Sequence, residues 1–140
     1  MLKNIDPLLT GKLLKILADM GHGDEVVLTD CNFPAAAVAQ RLVQLPGHAA
    51  TSVLQAVLSL LPLDDFVEQP AIVMQVPDGV PGIYSEFTAL INGSEGRDIK
   101  LEPIDRFEFY DRAKAAYAVV STGERRLYGN IILKKGIIRA

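Results

Sequence analysis

One histidine of this chain stands between two glycines, in the stretch "MGHGDEVVLTDCNFP" that runs from Met20 to Pro34. An imidazole titrates near neutral pH and serves as a general acid or base. Flanking glycines let the backbone take unusual angles and leave the ring accessible. His22 is therefore the first catalytic candidate, although its place after a helical run also suits a cation at a helix C-terminus. Asp24, two residues on, is placed either to orient that ring or to begin the strand that follows. Asp30 falls where the strand "EVVLT" should end. In layered α/β folds ligands meet the sheet at strand C-termini, which makes Asp30 a binding candidate; an Asx-type turn is the plainer reading. A second group lies far away in "YGN", Tyr128, Gly129 and Asn130. A phenol and an amide each donate and accept hydrogen bonds, which suits a ligand rich in hydroxyls such as a sugar. The plainer reading is again a turn, with Gly and Asn chosen for geometry. Arg106 follows the capping residue Asp105, and a cation at a helix N-terminus opposes the helix dipole, which tilts it toward function. His48, Cys31, Arg125 and Arg126 read as surface or loop residues.

These residues must be held by regular elements, and the chain alternates helices and strands throughout. Thr10 is placed to cap a helix carrying Leu13, Leu14, Ile16, Leu17 and Met20, with Gly21 as its stop. Glu25 to Thr29 reads as a buried strand. "FPAAAVAQRLVQL" suits a short helical turn and then a strand from Arg41 to Leu45. "TSVLQAVLSLLPL" predicts a helix capped by Thr51 or Ser52 and ended by Pro62. "AIVMQV", Ala71 to Val76, has the unbroken apolar run of a central strand. "PGIYSEFTALING" has proline near its start and glycine at its end, the usual helix asymmetry, with Asn92-Gly93 read as a turn. "IKLEPI" predicts a strand, and Asp105 opens the helix "RFEFYDRAKAA". Two late strands, "YAVVST" and "NIILKK", are joined by "GERRLYG", short enough for an antiparallel hairpin. The expected architecture is a single α/β layered domain over residues 1–140, with a mixed, mostly parallel sheet and helices on both faces.

Composition limits the function further. At 140 residues the chain is one ordinary domain. It is 49% hydrophobic with a mean hydropathy of +0.22, which suggests two-sided burial of a sheet or burial against other subunits. The net charge is −3, and no basic stripe with interleaved aromatics invites nucleic acid. A single cysteine cannot make an internal disulfide and fits a reducing compartment. No segment reads as a signal peptide or approaches the roughly 18 apolar residues of a membrane span. Phosphate-loop, dinucleotide and nucleophile-elbow motifs are absent, and two histidines and one cysteine far apart make no zinc site. The chemistry expected is acid–base chemistry of ordinary side chains, with no cofactor and no metal.

Taken together, "MGHGDEVVLTDCNFP", "RFEFYDRAKAA" and "TGERRLYGNIILKKG" resemble the corresponding segments of the L-fucose mutarotase and D-ribose pyranase family, over essentially the whole chain. G-H-G-D followed by D-x-N-F-P is similar to the fucose mutarotase branch; the ribose pyranase branch typically has threonine where this chain has Gly23. The resemblance implies a cytoplasmic, cofactor-free isomerase of sugar anomers that self-associates, in some members as a ring of ten subunits. By position it makes His22 the proton donor and Asp30, Arg106, Tyr128 and Asn130 the sugar-binding residues, with Asp24 and Gly129 as supporting candidates. Interconversion of ribose ring forms and non-catalytic sugar binding are the alternatives. An exposed histidine between glycines favours the enzyme, since binding hydroxyls alone rarely requires a titratable loop residue. At roughly 3.3 Å per residue, five strand residues separate His22 from Asp30 by about 16 Å, far more than a sugar ring. That spacing predicts a site shared between subunits.

Overall fold

The computed structural model describes residues 1–140. Five helices and six strands alternate along the chain: α1 (Gly11–Asp19), β1 (Glu25–Thr29), α2 (Ala35–Val38), β2 (Leu42–Leu45), α3 (Ala50–Leu58), β3 (Ala71–Met74), α4 (Gly82–Glu95), β4 (Glu102–Ile104), α5 (Arg106–Ala115), β5 (Ala118–Thr122) and β6 (Ile131–Lys134). The strands form one sheet in the order β2-β5-β1-β6-β3-β4. β2–β5, β5–β1 and β3–β4 pair in parallel. β6 alone runs against its neighbours β1 and β3.

Alternate residues of each strand enter two separate cores, as the period of two requires. Val26, Leu28, Val120, Ile131 and Leu133 pack under α1, α3 and α4 in the larger core. Val27, Ile72, Val119 and Ile132 pack under α2 and α5, around Phe109. Both faces of the central strands are thus apolar, which explains much of the hydrophobic content within one subunit. Phe66, Val80, Phe107, Leu127 and Ile138 remain exposed.

Local signals set several boundaries as expected. The Thr10 hydroxyl accepts from the Leu13 amide, and the Asp105 carboxylate accepts from Phe107 and Glu108, so α1 and α5 begin at their expected caps. Three expectations fail. α3 starts at Ala50 and is not capped by Thr51 or Ser52, which lie inside its first turn; nor does it reach Pro62, because it ends at Leu58. Its N-terminus has no side-chain cap hydrogen bond, and its first residue, Ala50, is fully buried. Asn92-Gly93 is not a turn. It lies within α4, which runs on to Glu95 because Phe87 and Ile91 stay fully buried, and stops at Gly96 in the left-handed conformation.

The third failure matters most for function. β5 and β6 do not form a hairpin, because β1 sits between them. The 123–130 loop has to span roughly 10 Å, two strand spacings, across the C-terminal end of β1. It is tied there by the Cys31 amide, which donates to the Glu124 carbonyl at 2.9 Å. Gly123 and Gly129 make the path feasible. A Cβ on Gly123 would lie 2.1 Å from the Pro46 carbonyl oxygen, and one on Gly129 would lie 2.8 Å from Glu124.

Candidate functional site

The crossing loop delivers "YGN" onto the exit of β1. The backbone amide of Asp30 donates to Asn130 Oδ1 at 2.8 Å, and Asn130 Nδ2 donates to Asp30 Oδ2 at 2.9 Å. Asp30 Oδ1 accepts from the Asn32 amide at 2.9 Å. Both side chains are buried, and each carboxylate oxygen keeps a second lone pair. Tyr128 has φ 63°, a left-handed conformation that costs a non-glycine residue on the order of 1 kcal/mol. The loop sets this conformation, and it turns the ring toward the neighbouring strand ends. Tyr128 lines a cavity of about 420 Å³ with Gln75, Pro77, Arg106 and Phe107. Arg106 is exposed at the start of α5, its guanidinium carbon 4.9 Å from the Phe107 ring centroid. A larger cavity of about 680 Å³, beside Tyr84 on α4, contains none of the candidate residues. Asp30, Arg106, Tyr128, Gly129 and Asn130 therefore collect at one end of the sheet, where β1, β3, β4 and β5 end and β6 begins.

Glu124 on the same loop is a buried carboxylate that the sequence did not single out. Arg126 binds both of its oxygens, at 2.9 Å and 3.0 Å, and also pairs with Glu86. The Arg126 guanidinium holds the Glu124 carboxyl down at about 2 against the opposing effect of burial, helped by the Arg126 and Ala50 amides. Arg126, read above as a surface or loop residue, clamps this loop to α4.

His22 lies at the opposite end of β1. Its side chain is 44% exposed. It does not cap α1, because Lys135 Nζ takes the Leu17 and Met20 carbonyls instead, at 2.7 and 2.5 Å. Nor does Asp24 orient its ring: the Asp24 carboxylate is occupied by the Gly21 amide at 2.7 Å, closing the tight turn that Gly23 completes at φ 86°. The ring's partner is Asp64, whose Oδ1 lies 3.0 Å from His22 Nε2. Burial pushes the Asp64 carboxyl up, but the Phe66 amide, the His22 ring and the Lys134 charge together bring it below the usual carboxylate range. Phe66 stands beside the imidazole with ring centroids 5.2 Å apart. Nothing in "PLDDFV" marks Asp64 by periodicity or spacing, since its partner is 42 residues away. No group of three or more His, Cys, Asp and Glu side chains is placed to hold a metal ion.

Residues 3–138 match the model of the RbsD / FucU transport protein family. The chain belongs to that family. Among its RbsD / FucU relatives, an L-fucose mutarotase from Actinobacillus pleuropneumoniae serotype 5b is 44% identical, with 98% of this chain and 97% of the relative covered. The human fucose mutarotase is 47% identical, with 98% and 94% covered. The crystal structure of the Streptococcus pneumoniae fucose mutarotase in complex with L-fucose superposes with a TM-score of 0.93. It is 41% identical and covers 99% of this chain and 100% of that one. The doubly covered, mixed sheet described above is thus the fold of this family.

Proposed function

We propose that this protein is an L-fucose mutarotase, an isomerase that interconverts the α and β anomers of the free sugar by general acid–base catalysis. The observation that carries this reading is the whole-length likeness to the L-fucose-bound enzyme, on a backbone that presents both an accessible imidazole and the Asp30–Asn130–Tyr128 cluster. Asp30, Asn130 and Tyr128 hold sugar hydroxyls, and Arg106 closes the accessible side of the cavity. His22 in its protonated form gives a proton to the ring oxygen as the bond from that oxygen to the anomeric carbon breaks. The anomeric hydroxyl loses its proton to a base, and the carbonyl forms. Rotation about the adjacent carbon–carbon bond and closure in the reverse sense give the other anomer, with no net change in atoms or protons. The uncatalysed reaction already proceeds in water, so the roughly 10²- to 10⁴-fold supplied by a positioned acid or base suffices.

The position of His22 supports a shared site. It lies before β1 and Asp30 after it, so a strand of about 16 Å separates them within one chain. A homo-oligomer in which one subunit's His22 faces the Asp30 cluster of a neighbour brings both to one sugar, and the exposed Phe66, Val80, Phe107, Leu127 and Ile138 would then be covered. A ring of ten and action in the cytoplasm are parts of the same proposal.

Saturation-transfer NMR tests it. Purified protein should accelerate α–β exchange of L-fucose over buffer, equally with and without EDTA. Faster exchange of D-ribose than of L-fucose would move the assignment to the pyranase activity. Exchange equal to the blank for fucose, ribose and galactose would leave only a binding role.

A further inference from the structure

We propose that Asp64 is the positioning residue of His22: it holds the ring as the Nε2–H tautomer, so that Nδ1 is the nitrogen that exchanges protons with the sugar. The inference rests on His22 acting as the acid. An imidazole has two nitrogens, and the group bonded to one decides what the other can do. Nε2 faces Asp64 Oδ1 at 3.0 Å, and an ionised carboxylate only accepts, so Nε2 carries the proton between them. When His22 is protonated, Nδ1–H is the proton available to the ring oxygen. Once that proton has moved, the ring is neutral, still protonated on Nε2 and ready to accept at Nδ1 during reclosure. A carboxylate behind a catalytic histidine plays this orienting part in unrelated hydrolases.

Two features make this a built arrangement rather than a chance surface pair. The Asp64 side chain is 5% exposed and His22 44%, so the buried partner is fixed and the imidazole faces out. Asp64 Oδ1 also accepts from the Phe66 amide at 3.1 Å, which sets its rotamer. The second feature is that one segment carries both residues. The Gly23 amide donates to the Lys135 carbonyl at 2.8 Å, and the Lys135 amide donates to Asp24 at 2.9 Å. The Asp64 amide donates to the Lys134 carbonyl at 3.0 Å, and the Gly136 amide to Pro62 at 2.8 Å. The turn bearing His22 and the loop bearing Asp64 thus hang from residues 134–136. Gly136 lets them meet: a Cβ there would lie 2.5 Å from the Leu63 carbonyl oxygen and 2.9 Å from Asp64 Cα. Arg97 further anchors the Asp64 carbonyl at 3.1 Å.

The test reads the tautomer and the rate separately. The chain has two histidines, so ¹⁵N NMR of ring-labelled histidine, with His48→Gln for assignment, resolves His22. In the wild type the neutral His22 ring should be protonated on Nε2 with Nδ1 bare; the reverse overturns the proposal. Asp64→Ala should divide the proton between both nitrogens. It should also slow L-fucose exchange at saturating sugar by about 10- to 100-fold, the span found when the outer partner that orients a metal-bound histidine is removed. Half-saturation should move by no more than about twofold, because Asp64 does not touch the sugar. Asp64→Asn keeps an oxygen toward Nε2 and should fall between wild type and Asp64→Ala while retaining the Nε2–H tautomer. If Asp64→Ala does not fold, the wild-type tautomer and the Asp64→Asn rate decide. Wild-type exchange in Asp64→Asn, or a slowed Asp64→Ala that keeps the wild-type tautomer, would overturn the role. If the wild type exchanges no sugar, the functional reading fails while the tautomer measurement still judges Asp64.

Discussion

Among single side chains, the roles proposed for His22 and for the Asp30–Asn130 pair make opposite physical demands. An acid that meets a sugar has to be reachable, and His22 is exposed on a turn whose glycines relax the backbone. A carboxylate that aligns hydroxyls has to hold still, and Asp30 is buried with its own amide and one oxygen tied to the same asparagine. Replacing His22 by Ala should slow L-fucose exchange by about two to four orders of magnitude. The protein should still fold, since the ring fills no core position, with the unfolding midpoint lowered only by the loss of a partner to the buried Asp64. Exchange measured alongside circular dichroism checks both halves, and a fully active variant would remove His22 from the mechanism.

Between elements, the decisive piece is the 123–130 loop. It crosses the end of β1, is tied there by the Cys31 amide, and carries Tyr128 in its left-handed turn. Glu124 and Arg126 stiffen it. Because the Glu124 carboxyl is lowered from an ordinary 4.5 to about 2 in the folded protein, folding favours its charged form. That contribution is complete above pH 4.5 and is lost as the pH falls from there toward 2. Glu124→Gln should therefore be less stable than wild type at pH 7, with the difference shrinking steadily below pH 4.5. Urea unfolding at pH 7, 4 and 3 reads the difference, and a gap that stays constant with pH would show that the charge is not what stabilises the loop.

For the whole molecule, the sheet itself separates the two groups proposed to act on the sugar. β1 is buried and paired on both sides, so it cannot fold back to bring His22 onto its own Asp30. Inactive His22→Ala and Asp30→Ala proteins, mixed, dissociated and reassembled, should regain part of the exchange activity, because some interfaces recover one intact pair. Mixed oligomers that form, as seen by mass spectrometry, yet stay inactive would place the whole site in one chain.

What the sequence determined by itself was whatever depends on neighbours along the chain. The Thr10 and Asp105 caps, the amphipathic α1, the apolar strands and the exposed histidine between glycines are all legible, because capping and periodicity act within a few residues. The alternation of helix and strand was enough to set the layered α/β class. What tertiary structure decided was every pairing across a long separation. The apparent hairpin was opened by β1, because nothing local says that a third strand will insert. α3 starts at Ala50 without a side-chain cap, one residue before Thr51, because its start is buried against the core. Asn92-Gly93 stayed helical because burial of Ile91 outweighed a local turn preference. The partner of His22 proved to be Asp64 rather than the adjacent Asp24. A carboxylate two residues away is held by the turn it closes, whereas one 42 residues away meets the ring because both hang from residues 134–136.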